Sequence, residues 1–361
     1  MKNRIDWLDT MRGLALLMVM YAHNKPGDTV SKYLQLVLIP VFFFASGFFF
    51  DAGKYASHKD FFKKRVRRLV VPYFAFSFIS LAFWVSFAGG FVALNQEFQR
   101  GGYCLLIFIP ILGTFWGTAP LIPHNIPLWF LTALFSADQL FYWLRLKYKS
   151  NKKLIGWMFG ISFIGFILGR VLPFRLPWNV DIALTIVVYY GLGHLFYRRW
   201  GAGWDLKLWQ KIPLAAVLFA ISVLFVWINP EIHMMDNNIG RFFLFHPAAL
   251  AAVGFFLLFS QLISRVPVIK WVGVNSLPIL GLHVMAIGIV LPICKQLFGI
   301  NVKETFNDPV WALFYTAGTL VIVWPMVEII NRFFPQVLGM PKRKKAVIEE
   351  PKSENPPTDA S

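Results

Sequence analysis

Three side chains near the N-terminus have types and spacing suited to chemistry. They are Asp9, Arg12 and His23, in the run Asp9-Thr-Met-Arg12-Gly13-Leu-Ala-Leu-Leu-Met-Val-Met-Tyr-Ala-His23. On an α-helix the steps from Arg12 to His23 amount to about three turns plus 20°. The two side chains therefore share one face, with His23 about 16 Å farther along the axis. Asp9 falls on nearly the same face. A histidine, whose ordinary pKa lies near neutral, suits removal of a proton from a hydroxyl. An arginine suits holding or balancing negative charge. In a membrane helix such groups are costly unless they line a cavity or meet a partner. A plainer reading puts Arg12 at the cytoplasmic interface and His23 at the far helix end, and spacing alone leaves both open.

The elements that would position these groups follow from composition. The chain is 57% hydrophobic and 15% charged, with mean hydropathy +0.58, whereas soluble domains carry about a quarter charged residues. Apolar runs near the roughly 20 residues of a membrane span recur throughout. The expected fold is an all-α polytopic membrane bundle of about ten transmembrane helices. The spans fall near 9–24, 32–50, 69–88, 127–145, 153–171, 180–196, 212–228, 242–263, 273–293 and 309–331. With the N-terminus inside, the basic residues on the outer side are Lys25, Lys32, Arg100, Arg170, Arg175, Arg241, Lys295 and Lys303, a small share of 35. That bias matches the positive-inside rule and accounts for the net charge of +17 without a nucleic-acid partner. Both termini are then cytoplasmic, in an inner or plasma membrane. No cleavage-site pattern follows the first apolar run, so that helix is expected to be retained. Cys104 and Cys294 have no metal or redox spacing and read as packing residues.

Several loops carry further signals. Basic residues crowd from Lys54 to Arg68, and at helical spacing Arg65 and Arg68 are neighbours at i, i+3. Two guanidinium forks side by side would clamp a phosphate, although such loops are also ordinary topology signals. The 89–126 loop has an apolar middle broken by Pro110, Gly113 and Gly117, which predicts a re-entrant or interfacial segment. Ser46-Gly47 in the second span reads as a packing notch. No internal repeat is visible. The chain divides into a membrane domain, 1–335, and a tail, 336–361, disordered by composition, whose Lys342–Lys345 block would lie on the inner membrane surface.

Five elements in order resemble one family. They are Asp9-x-x-Arg12-Gly13…His23; Phe42-Phe-Phe-Ala-Ser46-Gly47-Phe48; Arg65-Val-Arg-Arg68 before Pro72-Tyr73; Leu128-Trp129-Phe130-Leu131; and Gly273-x-Asn275-Ser276-Leu…His283. The pattern is similar to the acyltransferase-3 family of integral membrane acyltransferases, especially its fucose 4-O-acetylase-like branch, over about residues 4–333. Nothing in this sequence corresponds to the extracytoplasmic hydrolase-like domain that some members append, so completion of the transfer by an envelope-biosynthesis partner stays open.

The resemblance implies a membrane-bound O-acyltransferase, of O-acetyl type. It would move an acyl group from cytoplasmic acyl-CoA, chiefly acetyl-CoA, to a hydroxyl of an extracytoplasmic glycan or lipid-linked sugar. His23 would be the base, with an acyl-histidine intermediate as the other route. Arg12 would support the donor or balance charge, oriented by Asp9. Arg65 and Arg68 would hold the CoA phosphates, with Ser46, Asn275 or backbone N–H groups near Gly47 as candidates to stabilise the oxyanion. His124, Trp129, Asp181 and His283 would line the acceptor side. Asp138 and His194 read as satisfied by neighbouring helices, and His58, His233 and His246 as loop or interface residues. The histidine spacing predicts no metal site, and no phosphate-loop motif is present. The competing class is a transporter or flippase of a sugar or lipid. Against it stand the missing repeat and the concentration of charge in the first helix.

Overall fold

The structure is a computed structural model that describes residues 4–92, 107–230 and 232–340, with side chains left out at 88–92. Among the described residues all regular structure is helical apart from an isolated bridge between His233 and Asn238. The long helices are α1 (Asp6–His23), α2 (Asp28–Gly47), α4 (Val71–Val92), α6 (Trp129–Lys147), α7 (Asn151–Val171), α8 (Val180–Trp200), α9 (Leu208–Ile228), α10 (Phe242–Leu262), α12 (Ser276–Phe298) and α13 (Pro309–Phe333). Shorter helices are α3 (His58–Arg65), α5 (Ile107–Trp116) and α11 (Pro267–Val274). Eight of the described helices are long and apolar enough to cross a membrane. The other two expected spans, α1 and α6, have the length but carry Asp6, Asp9 and Arg12, and Asp138, Arg145 and Lys147.

Helix association in lipid draws on close packing more than on apolar burial, because lipid tails are already apolar. Two glycine-lined crossings set the frame. α1 meets α11 where Gly13 faces the Ile269 carbonyl and Gly273 faces the Asp9 carbonyl. α2 meets α8 where Gly47 faces the Tyr190 carbonyl and Gly193 faces that of Phe44. At each position a Cβ would overlap the opposing backbone, so only glycine permits the approach. The Ser46-Gly47 notch is one half of the second crossing.

Local irregularities depart from ideal helical spacing in two places. Residues Val66–Val70 form a π-turn that joins α3 to α4, and the whole runs as one apolar helix over His58–Phe87. A π-turn bonds i to i+5 and inserts an extra residue into the helix. The ninth expected span is broken at Asn275, whose φ of −101° and ψ of 24° end α11 before α12 begins. Pro278, in the first turn of α12, lacks the N–H that would have continued the ladder.

The 89–126 loop contains α5, a helix of re-entrant or interfacial length that includes Pro110 and Gly113 and stops at Gly117, φ +81°. The 3₁₀ segments Ala119–Leu121 and Pro123–Leu128 then lead into α6. Pro335–Leu338 forms a 3₁₀ turn with Leu338 buried and Gly339 against the Arg67 carbonyl. Residues 341–361, including the Lys342–Lys345 block, and Cys104 lie outside the described residues. Cys294 is buried and free.

Candidate functional site

Two helical stripes face each other across the bundle. On α1 the stripe is Arg12, Leu16, Val19 and His23; on α2, which runs back alongside, it is Ser31, Gln35, Leu38, Phe42 and Ser46. Each proceeds in steps of three and four residues, the spacing that keeps side chains on one helix face. With Trp129, Phe130 and Leu134 of α6 and Ser276, Leu277 and Leu280 of α12 they enclose a cavity of about 530 Å³. Most of its wall is aliphatic or aromatic, and the polar groups gather at its two ends.

At one end Arg12 donates from Nη2 to the Ala45 carbonyl at 2.7 Å and lies 3.9 Å from Asp9. Its guanidinium also covers the Phe49 ring at 5.8 Å. Ser46 lines the wall beside it, one residue from that carbonyl. The bond to Ala45 fixes the guanidinium while leaving part of it on the cavity wall. At the other end stand His23, Ser31 and Gln35, with His233, Met234 and Met235 from the loop between α9 and α10. The His23 ring rests against that of His283, centroids 5.3 Å apart and planes 52° apart. Arg12 and His23 thus meet the first condition for chemistry in a membrane helix: both line a cavity.

The remaining expected site residues separate into two groups. Trp129 lines the cavity, and His283 backs it through His23. Arg65 is engaged inside the bundle. Its Nη2 meets Asp138 at 2.9 Å and the Tyr190 hydroxyl at 2.9 Å, whereas Arg68 is exposed. A π-turn begins immediately after Arg65, so the α-helical spacing that would make the two arginines i, i+3 neighbours does not hold there. Asn275 is engaged at the helix break. It donates to the Trp271 carbonyl and accepts from Asn331 at the helix break, while Ser276, next in sequence, faces the cavity.

Asp181 is not among the residues lining this cavity. It is fully buried, pairs with Arg175 at 2.6 Å and accepts from Leu176 N and Asn237, tying together two loops at that end of the bundle. His124 is buried in the 3₁₀ turn before α6, and neither ring nitrogen has a hydrogen-bond partner among the described residues. Burial pushes its pKa down to about 4. Its neighbours Ile126 and Pro127 reach the cavity instead. Asn125 beside it donates to Ser80 and to the Gly281 carbonyl, which fixes this turn against α4 and α12.

His194 is satisfied by the Phe50 carbonyl and Arg145, whereas Asp138 is charge-paired with Arg65 but neither of its oxygens has a hydrogen-bond partner among the described residues. His246 sits in a buried network with Tyr189 and Ser162. Sequence reasoning missed Ser31, Gln35, Ser276 and the loop residue His233. For the first two the signal was present, since Ser31, Gln35, Leu38, Phe42 and Ser46 form a stripe on α2 readable by spacing. No spacing could bring in His233, because its loop folds over the cavity from a distant part of the chain. Among the described residues no group of three His, Cys, Asp or Glu side chains could hold a metal ion.

A family model described as an acyltransferase domain matches residues 5–328 of this chain. No curated protein and no solved structure matches it.

Proposed function

The chain belongs to the acyltransferase-3 family of membrane acyltransferases, and from that membership we propose O-acyl transfer from cytoplasmic acyl-CoA to a hydroxyl of an extracytoplasmic or lipid-linked glycan. The observation that carries this reading is that Arg12 and His23, about 16 Å apart along α1, line one mostly apolar cavity. Such a cavity suits the acyl-pantetheine arm of a donor approaching from the Arg12 end. The acetyl group is the acyl chain assigned here, and the cytoplasmic membrane, with both termini inside, is the assigned location.

In this reading His23 removes the acceptor proton as the oxygen attacks the thioester carbonyl, because a free hydroxyl is too weak an acid to be ionised beforehand. The proton then passes to the departing CoA thiolate, so that thioester and alcohol become ester and thiol. Arg12 and Ser46, at the opposite end from His23, supply positive charge and a hydroxyl to hold the donor, and Ser276 adds a second hydroxyl to the wall. Arg68, exposed at the π-turn, meets CoA phosphate, and Arg65 holds that turn in place through Asp138.

Membranes containing the protein, incubated with radiolabelled acetyl-CoA, should transfer label into a glycan or lipid fraction. His23→Ala should lower that transfer by about 10²–10⁴-fold in protein that still folds. Solute flux without label transfer would reject the enzyme in favour of a transporter.

A further inference from the structure

We infer that His283 is the positioning partner of His23, holding it in the tautomer that presents a basic nitrogen to the cavity. The inference rests on the acyl-transfer reading above and adds a residue to it. His283 is fully buried in α12. Its Nδ1 lies 3.1 Å from the Ile279 carbonyl oxygen and 3.0 Å from that of Leu280. Carbonyl oxygens only accept, so Nδ1 carries the proton and donates to them, and Nε2 bears the lone pair. That Nε2 is buried and has no hydrogen-bond partner among the described residues. A buried acceptor without a donor costs free energy, and the ring packed against this one is His23.

The juxtaposition resolves two demands together. His23 has a cavity on one side and the His283 ring on the other. If it donates its own N–H to His283 Nε2, its second nitrogen is left as a lone pair toward the cavity, where an acceptor hydroxyl can give up a proton. When His23 takes that proton it becomes an imidazolium, and the His283 lone pair stabilises the N–H directed at it. A carboxylate serves this purpose in other histidine-based sites. A neutral histidine acceptor performs the orienting part without placing a full negative charge in the membrane interior.

The test uses the full-length protein in detergent or nanodiscs. His283→Phe keeps the ring's bulk and removes both nitrogens; His283→Gln restores an acceptor oxygen. The Phe variant should lose kcat by about ten- to a hundredfold, the scale on which outer partners of a functional histidine act. The KM values for donor and acceptor should stay unchanged, and the Gln variant should recover most of the rate. Wild-type kcat in His283→Phe, or equal impairment in both variants, overturns the inference. Should the Phe variant fail to fold, the ¹⁵N spectrum of histidine-labelled wild type decides. A neutral His283 with the proton on Nδ1 supports the pairing, and a proton on Nε2 overturns it. The underlying reading fails separately, if His23→Ala retains transfer.

Discussion

Arg65 and Asp138 are held 2.9 Å apart in the bundle, and the same guanidinium nitrogen also reaches the Tyr190 hydroxyl. This contact ties Arg65 into the bundle, and its contribution is measurable. Removing one partner of a buried ion pair strands the other charge, at a cost of about 3–5 kcal/mol. Arg65→Ala and Asp138→Ala should each lower the unfolding midpoint in detergent sharply. The double replacement Arg65→Met with Asp138→Leu should recover most of it, because neither charge is left alone. An Arg65→Ala protein as stable as wild type, with only a raised KM for acyl-CoA, would make Arg65 a phosphate ligand after all.

Arg68 gives the complementary expectation. Its side chain is exposed beside the π-turn, so Arg68→Ala should leave stability within about 0.5 kcal/mol of wild type. Loss of one charge-assisted hydrogen bond, about 1.5–3 kcal/mol, should raise the apparent KM for acyl-CoA roughly tenfold or more, with kcat unchanged. Steady-state kinetics over a range of donor concentration measures both quantities.

Gln35 lies on the α2 stripe at the His23 end of the cavity. Gln35→Leu keeps the helix face filled and removes the amide. The change should raise the KM for the acceptor while leaving the KM for acyl-CoA at its wild-type value. A change confined to the donor KM would reverse the assignment of the two cavity ends.

His124 gives a pH-dependent expectation. Burial holds its pKa at about 4 in the folded protein, against an ordinary value of 6.5. Above pH 6.5 it is neutral folded or unfolded, and its contribution is fully present. As pH falls from 6.5 to 4 the unfolded chain takes up the proton first, so folding stability drops by about 3 kcal/mol. Unfolding measured across that range should show a shallower acid-side decline in His124→Gln than in wild type. Parallel curves would assign the acid sensitivity to other groups.

Much of the fold was legible because membrane spans announce themselves by length and apolarity, and because a stripe such as Arg12 to His23 survives on a regular helix. Legibility ended where the helix was irregular. The Arg65–Arg68 spacing presumed about 100° per residue, and the π-turn removed that premise. The break at Asn275 did the same for the ninth span, turning Asn275 to its own helix end and Ser276 to the cavity. Asp181 looked like a mouth residue from its place at a helix start. Only the fold reveals that Arg175, six residues earlier, already neutralises it. His233 was unreadable for a different reason, since its position depends on a loop closing over helices far away in sequence.

The two glycine crossings clasp α1 and α2 near the Arg12 end of the cavity, at Gly13 with Gly273 and at Gly47 with Gly193. Backbone there touches backbone, so a side chain added at any of the four positions would pry the frame apart. The opposite end is lined by His23, Ser31 and Gln35 and by His233, Met234 and Met235 of the loop between α9 and α10, none of which belongs to either clasp. On the proposed acyl-transfer reading, such a molecule can keep one donor while trading acceptors. Divergence among its kin should therefore concentrate at the His23 end and spare the four glycines.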